Sequence, residues 1–315
     1  MAMGDQGGPR IAAKDRTRRK HGMAPSNLAS ESKHYAQHYW DKGYAIVRGL
    51  FGKDEMAEIQ AEAARIYAEG LKHHASYRDK NLYFEILPEA FAGRRYVLQA
   101  HWFAWISPLF EKLRRDPRYF TILEPLLGRN IKQPAQQIHW KPPGAGLTGY
   151  RFHQDLRFRE RDDSFEKIMT SWINTGLAID PATRENGCLR VISGSHKKGY
   201  LGLSDDGPLM KGATQDEELR KAGLALEDIV DVELEPGDLA IWGMLTVHGS
   251  DANKSQKDRA FAISGYVSAE TSTRGEWTFR DGEPVPLGKE PVICKYEKLL
   301  EKPGPFYEDS KWYAA

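Results

Sequence analysis

Apolar residues recur at helical spacing in the first part of this chain and at strand spacing in the second. Met56, Ile59, Ala63, Ile66 and Tyr67 share one face of a 3.6-residue repeat. An amphipathic helix is therefore expected over 55–69. Asp54 is placed to cap it, and Glu55 falls in the first turn, where a carboxylate complements the helix dipole. Ahead of it, the run Tyr44 to Val47 after Gly43 reads as a short buried strand. More helix is expected within 105–126. There Leu109, Phe110 and Leu113 form one stripe, and Phe120, Ile122, Leu123 and Leu126 follow Pro117.

The pattern changes after Gly128. Short apolar runs alternate with Gly, Pro and Asp turns: Ile131 to Lys141, Lys167 to Ile179, Cys188 to Ile192, Val230 to Leu234, Leu239 to Trp242 and Ala260 to Val267. This rhythm predicts antiparallel strands in a sandwich or barrel, punctuated by the Pro236-Gly237-Asp238 turn. Two polar insertions, 157–166 and 200–228, are expected to hang from it as loops. Residues 1–33 form a polar, Gly-rich and then basic tail, with order expected from His34. The expected organisation is a single domain over 34–315, mainly β with helical support, with its barrel core at about 128–270.

Composition narrows the function classes. The tail carries Arg10, Lys14, Arg16, Arg18, Arg19 and Lys20, but the formal net charge of the whole chain is only +1. The basic run therefore reads as a solvated tail, and no global field draws the protein to nucleic acid or an anionic membrane. No apolar stretch approaches the roughly 20 residues of a membrane span, and the N-terminus lacks the apolar core of a secretion signal. The two cysteines, Cys188 and Cys294, make neither a metal-binding spacing nor a disulfide framework. A reducing cytoplasm is the expected compartment.

Among ten histidines, two contexts carry chemistry. In Phe152-His153-Gln154-Asp155, side chains two apart on a strand point the same way, so His153 and Asp155 can face one metal ion. An isolated His-x-Asp is a common accident, and its ordinary reading is a surface turn. The second context is His248-Gly249-Ser250, followed on the next apolar run by Arg259. His248 from a distant strand would complete two histidines and one carboxylate on one face of a metal, the donor set of non-haem iron(II) oxygenases. A buried, permanently charged Arg259 needs an anion, which a dicarboxylate would supply. His196, after Gly194-Ser195, is read as a structural turn residue.

At these residues the chain resembles the phytanoyl-CoA dioxygenase family of iron(II)- and 2-oxoglutarate-dependent oxygenases, from about Tyr39 to Ala269. The similar segments are Tyr39 to Leu50; Lys141-Pro142-Pro143-Gly144 with His153-Gln154-Asp155-Leu156; Glu185 to Leu189 through Ser193-Gly194-Ser195-His196; and Pro236-Gly237-Asp238 with His248-Gly249-Ser250, Asn253-Lys254-Ser255 and Arg259. The resemblance implies a double-stranded β-helix, or jelly roll. It implies iron(II) on His153, Asp155 and His248. It also implies 2-oxoglutarate with its far carboxylate on Arg259 beside Ser250, and O₂ as the oxidant. Trp172 and Gln137 fall where such enzymes line the cosubstrate pocket; packed core aromatic and strand-surface amide are the alternatives. Lys141 is a candidate with a surface charge as its alternative.

The expected reaction is hydroxylation of a small-molecule metabolite, polar or amphipathic and charged, with release of succinate and CO₂. The carboxylate at Asp155 disfavours halogenation, and desaturation or ring formation stays open. Arg157, Arg159, Glu160 and Arg161 lie near the metal motif, and Tyr83, Phe84, Trp102, Phe103 and Trp105 are candidate entrance aromatics. The alternatives are an acyl-CoA hydroxylase of the same chemistry, a zinc hydrolase on the same ligands, a metal-binding barrel without catalysis, and a nucleic-acid demethylase resting on the basic tail alone. Substrate identity and oligomeric state are not set by these residues.

Overall fold

The computed structural model describes residues 22–87, 89, 93–143, 149–159, 163–203, 216–292 and 303–308. The basic run, Glu160, Arg161 and Cys294 lie outside them. Helix α1 spans Pro25–Lys42, strand β1 Tyr44–Val47, helix α2 Lys53–Gly70, β2 Ser76–Asp79, β3 Leu82–Leu87 and β4 Tyr96–His101. Helices α3 (Pro108–Arg114) and α4 (Pro117–Leu127) follow. Then come β5 Ile131–Lys141, β6 Tyr150–His153, β7 Trp172–Ala178, β8 Leu189–Ile192, β9 Ile229–Val232, β10 Leu239–Gly243, β11 His248–Ser250, β12 Arg259–Ser268, β13 Glu276–Arg280, β14 Glu283–Pro284 and β15 Phe306–Glu308.

Two antiparallel sheets result. The larger has 11 strands, in the order β1-β10-β7-β12-β5-β4-β3-β2-β15 with β13 and β14 attached; the smaller has 4, in the order β6-β11-β8-β9. The arrangement is a jelly roll backed by helices. Alternation along the strands sorts the faces. Ile138, Trp140, Ile173, Leu177, Leu239, Ile241, Ala45 and Val47 point outward and pack with Met56, Ile59, Ala63 and Ile66 of α2 and with Ile122, Leu123 and Leu127 of α4. Each large side chain buried there contributes roughly 2 kcal/mol by area, so this layer holds the helices to the sheet. The intervening residues of β5, β7, β10 and β12 face the smaller sheet, and the site lies between the two. Phe152 and Ile192 of the smaller sheet pack with Leu203, Leu219 and Leu224 from the second insertion.

Most expected elements form with small boundary shifts. The run expected from Lys167, however, begins as a helical turn, Ile168–Ser171, before the strand starts at Trp172, and the insertion expected as a loop carries a helix at Asp216–Lys221. The structure differs in four further respects. The helix expected at 55–69 begins at Lys53 after Gly52, whose N–H donates to Glu55 Oε2 at 2.8 Å. Asp54 therefore sits in the first turn and does not cap. Order precedes His34, because Pro25, with its fixed φ, opens α1 at N1. The helix ends at Gly43, whose φ of 84° lets its N–H reach Tyr39 O at 2.7 Å. Strands β2 to β4 extend the larger sheet well before residue 128. Finally, Phe84 and Phe103 belong to the main core, and Tyr83 and Trp102 are buried. Among the described residues, no helix is long and apolar enough to cross a membrane.

Candidate active site

His153 ends β6 and His248 opens β11. The ladder between them pairs the two residues directly, which brings their ring centroids to 4.3 Å. Asp155 follows His153 at the start of a short 3₁₀ turn, Asp155–Phe158, and swings its carboxylate between the rings. Ligand atoms of His153, Asp155 and His248 all lie within 4.8 Å of one another. Nε2 of His153 is 3.4 Å from Oδ1 of Asp155, and Nε2 of His248 is 3.5 Å from Oδ2.

Both imidazoles are fixed from behind. Nδ1–H of His153 donates to Arg151 O at 2.7 Å, and Nδ1–H of His248 to Thr246 O at 2.9 Å. A carbonyl only accepts, so each Nδ1 carries a proton and each Nε2 is turned toward the carboxylate. Burial pushes the His248 pKa down to about 4, against the pull of Asp155, so the ring is neutral. Burial works against charge on Asp155 too, but the adjoining His248 and His153 rings and the Trp242 N–H outweigh it and hold the carboxyl well below its usual range. Two imidazole nitrogens and an ionised carboxylate converge on one point, where a cation would engage all three. Two nitrogens and one oxygen on one face of a space, with the rest open, suit a transition metal such as iron(II).

Asp155 is held in turn. Its Oδ2 accepts from Asn174 Nδ2 at 2.7 Å and from Trp242 Nε1 at 3.3 Å. Asn174 and Trp242 are ladder partners on β7 and β10. Trp172 lies two residues before Asn174 and donates from Nε1 to Asn174 Oδ1 at 2.9 Å. It packs with Leu156, Phe165, Met244 and Val267, so it acts on Asp155 through Asn174. The sequence reading missed Asn174 and Trp242; the same-face spacing from Trp172 was the available signal for Asn174.

Arg259 opens β12 directly opposite Lys141, the last residue of β5. Both are buried, at 4% and 2% exposure. Burial lowers the Arg259 pKa to about 10 and drives that of Lys141 well below its ordinary value, with Arg259 adding to the effect. Arg259 donates from Nη2 to Gly187 O at 2.6 Å, while its buried Nε–H has no partner among the described residues. Ser250, two residues beyond His248 on β11, accepts from Lys141 Nζ at 2.6 Å. An orphaned guanidinium N–H beside a serine hydroxyl fits a carboxylate end.

Gln137 and His139 share the inward face of β5 with Lys141. His139 and Gln137 are joined by a 2.7 Å contact, and His139 Nδ1 lies 3.1 Å from Tyr150 OH. Gln99 donates to Tyr150 OH at 3.0 Å, and its Oε1 lies 2.8 Å from His101 Nε2. This polar network lines the same inward face and reaches the smaller sheet through Tyr150. Gln137 makes no hydrogen bond to the triad among the described residues. Arg159 lies over the Trp172 ring at 5.3 Å, and Arg157 over Phe158 at 5.4 Å. His196 contacts Trp40 O at 2.9 Å through Nε2, away from the triad.

Comparison with known proteins agrees with this architecture. The chain is 27% identical over 224 residues to the dioxygenase lolE1 of Epichloe uncinata, covering 69% of this chain and 74% of that protein. It is 27% identical over 226 residues to the ectoine dioxygenase of Streptomyces anulatus, covering 72% and 66%. The crystal structure of EctD from S. alaskensis with 2-oxoglutarate and 5-hydroxyectoine has the same fold, with a TM-score of 0.62 at 22% identity over 93% of this chain and 98% of that one. The family model described as phytanoyl-CoA dioxygenase (PhyH) matches residues 39–261, and the chain belongs to that family.

Proposed function

We propose that this protein is an iron(II)- and 2-oxoglutarate-dependent oxygenase that hydroxylates a polar small molecule. The observation that carries the reading is the convergence of the two imidazole Nε2 atoms on the Asp155 carboxylate, each ring fixed from behind through Nδ1. When bound, iron(II) with 2-oxoglutarate supplies oxidation of an unreactive C–H bond by O₂, coupled to decarboxylation of the keto acid to succinate.

The chain's own residues do the rest. His153, Asp155 and His248 would hold the metal, leaving its remaining positions to the keto acid and O₂ while the substrate binds alongside. Arg151 O, Thr246 O, Asn174 and Trp242 fix the directions of those three ligands. Arg259 and Ser250 take the far carboxylate of 2-oxoglutarate, with Gln137 on the wall beside it. Leu156, Met244 and Trp172 form the apolar packing that keeps water from the Asp155 side.

The substrate reading follows from the inward face of β4 and β5. Gln99, His101, Gln137, His139 and Tyr150 suit hydrogen-bonding groups and offer no apolar groove for an acyl chain. The relative named for ectoine is consistent with a polar metabolite. The test is anaerobic. Iron(II) and 2-oxoglutarate added to metal-free protein should give the weak visible charge-transfer band of the chelate, and its absence would refute the oxygenase reading. A succinate-release screen then separates polar metabolites from acyl-CoA esters, and turnover of the esters alone would refute the substrate reading.

A further inference from the structure

Two buried cations face each other at the deep end of the site with too little negative charge between them. Arg259 and Lys141 are direct partners across the β12–β5 ladder, an arrangement that like charges disfavour. Among the described residues, neither forms an ion pair. The nearby acids are committed elsewhere: Asp251 pairs with Arg184 and Arg190, and Asp180 Oδ2 accepts from Ala260 N–H at 2.8 Å.

Burial opposes charge on Lys141, but its Nζ is ringed by three neutral oxygens, Ser250 Oγ at 2.6 Å, Asp251 O at 2.6 Å and Gly187 O at 3.2 Å, which match the three hydrogens of an ammonium and not the two of an amine. Because Ser250 Oγ accepts from the ammonium, its own O–H is turned away from Lys141 and left to donate. Among the described residues, the Arg259 Nε–H is also without a partner. What remains at this end is therefore a set of donors and excess positive charge, which only an acceptor-only anion satisfies.

We propose that Lys141 is a positioning residue that makes the cosubstrate pocket require a second carboxylate. It orients the Ser250 hydroxyl as a donor and adds a second positive charge behind Arg259. This inference rests on the oxygenase reading above and extends it to the choice between keto acids. The alternative is that Lys141 only pins the Gly187 and Asp251 loops together through their carbonyls. The two accounts differ in what happens to a keto acid that lacks the far carboxylate.

The test uses the full chain loaded with iron(II) under anaerobic conditions, titrated with 2-oxoglutarate or with 2-oxovalerate, which ends in a methyl group. Binding is read by calorimetry and by the visible band. The wild-type protein should prefer the diacid strongly. Lys141→Met should narrow that preference by about tenfold or more, the loss expected for a charge-assisted contact, with 2-oxovalerate affinity unchanged. Combining Lys141→Met with Ser250→Ala should cost less than the two single changes added, because the lysine acts partly through the serine.

Equal weakening of both keto acids in Lys141→Met would show a loop pin and overturn the inference, as would an unchanged preference. If Lys141→Met does not fold, Ser250→Ala alone decides, and full retention of the diacid preference in it refutes the role. Failure of the wild-type protein to bind either keto acid would overturn the oxygenase reading itself, and this inference with it.

Discussion

Asn174 donates to the same oxygen of Asp155, Oδ2, that faces His248. The amide and the imidazole therefore approach one carboxylate from two sides, and Asn174 sets the rotation of the carboxylate plane. Removing such a support from a metal ligand costs about 10- to 100-fold in metal affinity. We expect Asn174→Ala to lower iron affinity within that range and Asp155→Ala to abolish turnover. Iron retained after desalting and succinate released per minute check both. Full activity of Asp155→Ala without an added ligand would remove Asp155 from the metal site.

His248 makes the stability of the metal-free protein depend on pH. Its folded pKa lies at about 4 against an ordinary 6.5, so the unfolded chain binds the proton more tightly between those values. The stability that the neutral, buried ring contributes is present above pH 6.5 and is lost as pH falls toward 4, up to a loss on the order of 3 kcal/mol. Asp155, held below its usual range, contributes in the same sense but at lower pH. Its share is present above the ordinary carboxylate pKa and disappears only under more acidic conditions. Melting curves of metal-free protein between pH 4 and 7 should therefore slope upward with pH, and His248→Gln should flatten them. An equal slope in that variant would assign the linkage to other groups.

Much of the fold was legible because each sheet residue that packs on a helix alternates with one that faces the site. β5 was read at its full extent, Ile131 to Lys141, for that reason. β3 and β4 escaped although β7 and β10 are just as buried and were read, because the buried polar Glu85, Gln99 and His101 break up their apolar runs. α1 escaped because its buried stripe is Leu28, Ser32, Ala36 and Tyr39, too narrow and too polar for an apolar pattern. In the site, the His153–Asp155 spacing is local and could be read directly. The Asn174 and Trp242 contacts to Asp155 depend on strand pairing and could not. Lys141 looked like a strand-end charge because nothing local to it says that Arg259 stands opposite.

Two glycines on the inward face leave room for aromatic rings. A Cβ at Gly265 would lie 2.8 Å from Cζ2 and Nε1 of Trp172, the residue that steadies Asn174. A Cβ at Gly176 would lie 2.2 Å from Cζ of Phe261. Overpacking of this kind costs about 1–3 kcal/mol. We expect both Gly→Ala variants to melt earlier. Gly265→Ala should also weaken iron binding, because the Trp172 ring must move, whereas Gly176→Ala should spare the metal. Equal effects on iron would mean that Trp172 does not support the Asp155 side.

Arg259 separates charge from geometry. Its guanidinium donates through Nη2 to Gly187 O and leaves Nε–H for an anion, so a ligand carboxylate meets a fork whose other arm is already anchored. Lysine would supply charge without that planar fork and from a shorter reach, and the exchange is not conservative at such a site. Arg259→Lys should therefore weaken 2-oxoglutarate binding about tenfold or more, and Arg259→Met about a hundredfold or more. Both variants should keep iron at the wild-type level, since neither touches the triad. In steady state the loss should fall on the apparent KM for 2-oxoglutarate, while saturating cosubstrate restores much of kcat in Arg259→Lys. If Arg259→Met binds the diacid as the wild-type protein does, the carboxylate is held elsewhere. Among the described residues the buried arginine would then have the Gly187 carbonyl and the Phe261 ring, 5.4 Å from its Cζ, to account for it, too small a return for the cost of burying its charge.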